Sequence, residues 1–214
     1  MKFQYLAVEG PIGVGKTAVV EHLAQRLEAH TILEEWSQNP FLKAFYDGAA
    51  GAAFQVELFF LLSRYRQQQE LLQRRLFAQP SICDYVFEKS KLFAYLNLED
   101  SELIIYDKLY ALLAEAAPRP DLVIYLQAPT EVLGRRIRQR GRPEETRLSE
   151  EYLAEVNRAY NHYFFHYTQT PLLVVNTADV DFERSREDLD DLVRQIRAMG
   201  RGTQYYVPLG SRSS

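Results

Sequence analysis

The chain has 214 residues, with 25 Lys plus Arg against 29 Asp plus Glu and a formal net charge of −4. That length can bury one substantial core and suits one domain better than two, and the slightly acidic balance gives no support to nucleic-acid binding through bulk electrostatics. No apolar run approaches the roughly 20 residues needed to span a membrane, and the lone cysteine, Cys83, excludes an internal disulfide and fits a reducing compartment.

The first residues, Met1 to Gln4, run straight into an apolar stretch at residues 3–8 without signal-peptide architecture, which with the lone cysteine predicts a cytoplasmic protein. That stretch reads as a buried strand, and residues 17–27 follow at helical spacing through Val20, Leu23, Ala24 and Leu27. Between them, Gly10-Pro-Ile-Gly-Val-Gly-Lys-Thr17 fits the pattern G-x-x-x-x-G-K-[ST]. Such a loop holds phosphate oxygens. Its glycines, Gly10, Gly13 and Gly15, let the backbone wrap closely with N–H groups inward, and the next helix adds its positive end. Lys16 is expected to reach the β- and γ-phosphates, and Thr17 to ligate Mg²⁺ through its hydroxyl.

Further short apolar runs at 31–33, 81–83, 122–126 and 172–175 bring the expected strands to five, alternating with helical patterns. This predicts an α/β fold: a five-stranded parallel sheet covered by helices on both faces, with right-handed crossovers. A short helix is expected at 39–46, broken by Gly48 and Gly51, and a long one at 53–76. Most of its apolar residues, Leu58, Leu61, Leu62, Tyr65, Leu72 and Leu76, are expected in the core. Helices follow at 89–96, 101–116, 130–140, 149–168 and 182–199, with Thr130 and Ser149 as N-caps. One domain is expected over residues 1–200, with a loosely held tail at 201–214. Cys83, in an apolar run, reads as a small core residue rather than a nucleophile.

Ligands of parallel sheets bind beyond the carboxyl ends of the strands, which singles out four groups. Phosphoryl transfer to an alcohol needs a carboxylate within reach of the attacking hydroxyl, and Glu34 after the second strand suits that role, with Glu35 its competitor. Asp84, after the third strand, suits Mg²⁺, directly or through water, or else caps the next helix. Arg136 and Arg140 share a helical face, and Gly141 lets Arg142 follow them inward; this basic run is a candidate phosphate-clamping lid, or a solvated helix face. Gln55, Glu57 and Arg64 sit among apolar neighbours on the long helix, where a buried polar group needs a partner, either a ligand base or another side chain.

With those residues assembled, the chain resembles the deoxyribonucleoside kinase family, specifically its bacterial deoxyguanosine and deoxyadenosine kinases. The resemblance runs from about Phe3 to Met199. It is carried by the phosphate loop, Glu34 before Asn39-Pro40-Phe41-Leu42, Phe45-Tyr46-Asp47, Phe59-Phe60-Leu61-Leu62-Ser63-Arg64, Asp84 with Lys89, Ile124 to Gln127, and Arg136 to Glu145. It implies a P-loop kinase fold with an arginine-rich lid, and transfer of the γ-phosphate of ATP or another nucleoside triphosphate to a deoxyribonucleoside 5′-hydroxyl with Mg²⁺. Glu34 matches the catalytic base, Tyr46 and Glu145 the pair that hold the sugar 3′-hydroxyl, Arg136, Arg140 and Arg142 the lid arginines, and Arg64 an arginine lining the base pocket. Relatives also suggest a helix-packed homodimer.

Two departures from the family pattern stand out. Many relatives carry Asp/Glu-Arg-Ser after the third strand, where this chain has Asp84-Tyr85-Val86, so Lys89 one turn on is the candidate substitute for the arginine. Where relatives place a base-reading glutamine, the count from Tyr46 and from Arg64 falls on Glu57 rather than Gln55. An ionised glutamate only accepts hydrogen bonds, which suits the paired donors of guanine and predicts a purine substrate with deoxyguanosine favoured. The competing readings are a nucleoside monophosphate kinase such as thymidylate kinase, and a non-catalytic protein that keeps the fold.

Overall fold

In the computed structural model, which describes residues 3–74, 79–142, 145–180, 182 and 185–208, strands and helices alternate along the chain. The strands are β1 (Tyr5–Glu9), β2 (His30–Ile32), β3 (Ser81–Cys83), β4 (Leu122–Gln127), β5 (Leu172–Asn176) and β6 (Thr203–Tyr206). The helices are α1 (Lys16–Leu27), α2 (Leu42–Tyr46), α3 (Ala52–Arg74), α4 (Lys89–Asn97), α5 (Asp100–Ala114), α6 (Thr130–Arg140), α7 (Glu150–Phe165) and α8 (Arg186–Ala198). Single 3-10 turns lie at Trp36–Gln38 and Glu145–Arg147.

All strand pairs are parallel, in the order β2-β3-β1-β4-β5-β6. Successive side chains of a strand face opposite sides, so the fully buried β1 needs cover on both. Leu6 and Val8 pack with Val19, Val20 and Leu23 of α1 and Leu189, Leu192 and Ile196 of α8. Tyr5 and Ala7 pack on the other side with Leu71 of α3 and Val156, Tyr160 and Phe164 of α7. Cys83 is fully buried in that second cluster, as a core residue should be. The chain goes from β1 outward to β2, returns to β3, and then crosses β1 to reach β4. That reversal opens a crevice at the carboxyl ends of β1 and β3.

Four expectations need correction. The sheet has six strands rather than five, because Thr203–Tyr206 of the expected loose tail pairs in parallel with β5. The segment is polar and mostly exposed, so a search for apolar runs passes over it, while its Thr and Tyr residues favour extended backbone. Residues 209–214 lie outside the described residues. On α3, Leu62 and Leu72 are exposed, while Glu57, Arg64, Gln67 and Gln68 are buried. Its inward side therefore mixes these polar groups with Val56, Leu71 and Leu61, the last as expected, and Leu76 lies outside the described residues. Thr130 does not cap α6: Pro129 holds that position, and Thr130 Oγ1 accepts from Asn157 Nδ2 at 3.0 Å. The short helix starts only at Leu42, because Asn39 Oδ1 accepts from Phe41 N at 3.0 Å in a local turn. Ser149 does cap α7, accepting from Tyr152 N at 3.0 Å.

Candidate active site

The phosphate loop leaves β1 at Gly10 and enters α1 at Lys16. A Cβ at Gly10 would collide with the Leu126 carbonyl, so only glycine lets the loop cross β4 this closely. Gly15, at φ 95°, sets the left-handed turn into α1. Lys16 Nζ donates to Gly10 O at 2.6 Å and Pro11 O at 3.3 Å. Burial, with Lys89 adding its charge, lowers the Lys16 ammonium to about 8. An anion in the loop would reverse that depression, since opposite charge favours the protonated form.

Glu9, fully buried at the end of β1, was not apparent in the sequence as a site residue. Its Oε1 accepts from Gly10 N at 2.9 Å and the Tyr160 hydroxyl at 3.1 Å, and its Oε2 accepts from Val86 N at 3.0 Å. One carboxylate thus ties the start of the phosphate loop to α7 and to the segment after β3. The only local signal is an acidic residue ending an otherwise apolar strand.

Glu34 sits at the crevice between two cations. Arg64 donates to its Oε1 through Nε at 2.8 Å and Nη2 at 2.6 Å, and Lys89 Nζ donates to its Oε2 at 2.8 Å. Arg64 Nη1 donates to Ser90 Oγ at 2.8 Å. Burial would raise the Glu34 carboxyl, but Lys89 and Arg64 overcome it and hold it well below the usual carboxylate range. Glu35 turns away to exposed Arg66, which separates the two candidates. Arg64, expected to line the base pocket, spends three donors on Glu34 and Ser90 while still lining the cavity. Lys89, the candidate substitute for the missing arginine, donates to Glu34, and Tyr85 instead donates to Gln67 Oε1 at 2.8 Å in the core.

A cavity of about 350 Å³ lies against the phosphate loop. It gathers Gly13, Gly15, Lys16, Thr17, Glu34, Tyr46, Glu57, Arg64, Asp84, Lys89, Arg140, Arg142 and Glu145, nearly every site residue expected from the sequence. Glu57 is 2 % exposed whereas Gln55 faces solvent, so burial separates those two as well. Burial, with Glu34 adding its charge, raises the Asp84 carboxyl to about 6, and Asp84 Oδ1 accepts from Glu34 N at 2.7 Å. Thr17 and Asp84 offer a hydroxyl and a carboxylate on one cavity wall. That fits Mg²⁺, which takes one or two protein oxygens and fills its shell with phosphate and water. Among the described residues no cluster of three His, Cys, Asp or Glu side chains offers a metal site.

The lid arginines divide. Arg140 meets Glu145 through Nη2–Oε1 at 2.6 Å and Nε–Oε2 at 3.1 Å, and Arg142 stacks 4.3 Å over the Trp36 ring, with Nη1 3.6 Å from Glu145 Oε1. Arg136 points the other way, donating to Thr177 Oγ1 at 3.1 Å, Thr177 O at 2.5 Å and Val180 O at 2.8 Å. There it lines a second cavity of about 580 Å³ with Asp179 and Phe182, neither of which belongs to a recognisable motif. Gly13, Gly15, Ala18 and Arg140 line both cavities, so the phosphate loop runs between them. Two compartments joined at a phosphate cradle can hold a donor and an acceptor for in-line transfer.

A sequence profile described as deoxynucleoside kinase matches residues 6–199. The chain belongs to the deoxynucleoside kinase family. The kinase is 34% identical to a deoxyguanosine kinase of Bacillus subtilis over 200 residues, covering 91% of this chain and 97% of that one. It is 30% identical to a deoxyadenosine/deoxycytidine kinase of the same organism over 206 residues, covering 92% and 94%. In fold it is similar to a structure of deoxyadenosine kinase from M. mycoides with bound dCTP, at TM-score 0.76 and 23% identity, covering 91% of this chain and all of that one. The kinase is a phosphotransferase acting on a hydroxyl of a deoxynucleoside. Membership sets aside the monophosphate-kinase and non-catalytic readings. Among the described residues no helix is long and apolar enough to cross a membrane.

Proposed function

We propose that this kinase transfers the γ-phosphate of ATP, or of another nucleoside triphosphate, to the 5′-hydroxyl of a purine deoxyribonucleoside, with deoxyguanosine favoured. The observation that carries the base assignment is Glu57: a carboxyl, 2 % exposed, on the wall of the cavity beside Glu34. Ionised, it accepts from guanine N1–H and N2–H₂, and a site built around such bonds discriminates strongly because the wrong base leaves buried groups unpaired.

In this reading the cavity on the Glu34 side holds the nucleoside and the one on the Arg136 side the donor base. Tyr46 and Glu145 hold the sugar 3′-hydroxyl, with Arg140 fixing the Glu145 carboxylate. Glu34 orients the 5′-hydroxyl and takes its proton, while Arg64 and Lys89 keep that carboxylate ionised and immobile. Lys16, Arg140 and Arg142 spread the charge of the transferring phosphoryl group, with Arg136 entering once it leaves the Thr177 carbonyl. Thr17 and Asp84 hold Mg²⁺, which when bound neutralises phosphate charge. The exposed Ile104, Ile105 and Leu112 of α5 support a helix-packed homodimer.

The test is turnover of the four deoxynucleosides under one set of conditions. Deoxyguanosine should give the highest kcat/KM, and Glu57→Gln should move the preference towards deoxyadenosine. Equal or better use of deoxycytidine by the unmodified kinase rejects the base assignment.

A further inference from the structure

Behind Glu57, away from the phosphates, runs a short relay. Glu57 Oε1 accepts from Asn97 Nδ2 at 2.8 Å, and Asn97 Oδ1 accepts from the Tyr152 hydroxyl at 3.0 Å. Burial raises the Tyr152 phenol, so it stays protonated and acts as a donor. That donor favours the orientation in which the Asn97 oxygen faces it. Turned over, the amide would leave the Tyr152 O–H without this acceptor and set its own oxygen against the Glu57 carboxylate. Glu57 Oε1 is therefore held as an acceptor. Glu57 Oε2 is buried and has no hydrogen-bond partner among the described residues. Any proton on this carboxyl accordingly sits on Oε2.

We propose that Asn97 and Tyr152 are positioning residues that leave Glu57 one variable atom, Oε2, and that a proton on or off that atom selects the base. The proposal rests on the reading of Glu57 as the base-facing group. With Oε2 ionised, Oε1 and Oε2 are two acceptors for the N1–H and N2–H₂ of guanine. With Oε2 protonated, it donates to adenine N1 while Oε1 accepts from N6–H₂, the pattern a glutamine offers. The Asn97 pin on Oε1 serves both states unchanged.

The surroundings place both states within reach. Burial raises Glu57 to about 7, against the Asn97 hydrogen bond and the charge of Arg64, with Glu34 adding to the rise and Lys89 opposing it. The ionisable groups around it come from α3 (Arg64), the segment after β2 (Glu34), α4 (Lys89), α5 (Tyr106) and α7 (Tyr152). Of these, Glu34 is held ionised, Arg64 and Lys89 are held protonated, and burial keeps the two tyrosines neutral, so within this set only Glu57 changes charge near neutrality, while Lys16 and Asp84 on the same cavity act on both substrates alike.

The measurement is the ratio of kcat/KM for deoxyguanosine to that for deoxyadenosine, between about pH 6 and pH 8, on the full chain. Protonation steps common to both substrates cancel in this ratio. It should climb with pH by up to about tenfold per unit, following the ionised-to-neutral population of one group. Glu57→Gln should give a ratio that favours deoxyadenosine and does not change with pH. Tyr152→Phe frees the Asn97 amide to turn over and favour a protonated Glu57, so its ratio should fall at every pH in the range. A flat ratio in the unmodified kinase, combined with a shifted preference in Glu57→Gln, overturns the protonation proposal while Glu57 keeps its place at the base. An unshifted Glu57→Gln removes both readings. A Tyr152→Phe ratio identical to that of the unmodified kinase overturns the positioning role.

Discussion

Glu34 holds two buried cations on one carboxylate, and that sets the chemistry it can perform. A carboxylate kept far below its usual range is a weak proton acceptor in the ground state. Phosphoryl transfer passes through a loose transition state in which there is little covalent chemistry for the protein to do. Orientation of the hydroxyl is then the larger contribution, with the proton taken late. Glu34→Gln should lower kcat by about 10²–10⁴-fold, and a loss under tenfold would remove Glu34 from the reaction. Lys89→Met leaves Arg64 as the only cation bonded to Glu34 among the described residues, so the Glu34 carboxyl rises towards its ordinary value. In the role proposed for Glu34 activity needs the ionised form, so the acid limb of kcat/KM should move to higher pH; an unmoved limb denies Lys89 this task. At this scale legibility follows distance along the chain. The phosphate loop declares itself within eight residues. Glu9 acts on groups 77 and 151 residues away, so nothing beside it in the sequence announces its work.

At the scale of elements, α3 shows where periodicity misleads. Its length and position were legible, because Gly51 precedes it and helical spacing persists through it. Its facing was not. The spacing assigns Leu62 and Leu72 inward, yet the helix spends that side on Glu57, Arg64 and Gln68, each satisfied in part by a distant partner such as Glu34, Asn97 or Tyr5. Polar groups that share an inward side with Leu61 and Leu71 are invisible to a rule that equates apolar with buried. The sixth strand escaped for the complementary reason, being polar and held by backbone pairing. The junction of β1 with the phosphate loop makes a stability prediction. Glu9→Ala would strip acceptors from Gly10 N, Val86 N and the Tyr160 hydroxyl, all in buried surroundings. At about 1–3 kcal/mol for each buried donor left unpaired, the loss should reach about 3 kcal/mol or more in denaturant unfolding. A loss below about 1 kcal/mol would mean that water replaces the carboxylate.

For the whole molecule, the strand order explains why so many separate segments meet at one place. The phosphate loop, Glu34 and Asp84 follow three neighbouring strands, so a parallel sheet delivers them to the same edge without any of them being close in sequence. That much follows from counting strands. What counting cannot supply is the outer surface. Helix α5 packs on α3 and α4 and buries only Tyr106 completely, leaving Ile104, Ile105 and Leu112 each more than half exposed. Tyr106 donates to Ser90 O at 3.0 Å, and Ser90 Oγ accepts from Arg64, so α5 braces the residue that holds Glu34. An apolar face on such a brace suits a second copy of the chain, provided each partner contributes roughly 800 Å². Light scattering after size exclusion should give twice the chain mass, and Ile105→Glu with Leu112→Glu should halve it. The separated chains should retain turnover, reduced by less than about tenfold through the loosened brace, a change of about 1.4 kcal/mol in barrier. An unmodified kinase with the mass of a single chain, or a double variant that stays paired, would assign that face to something other than self-association.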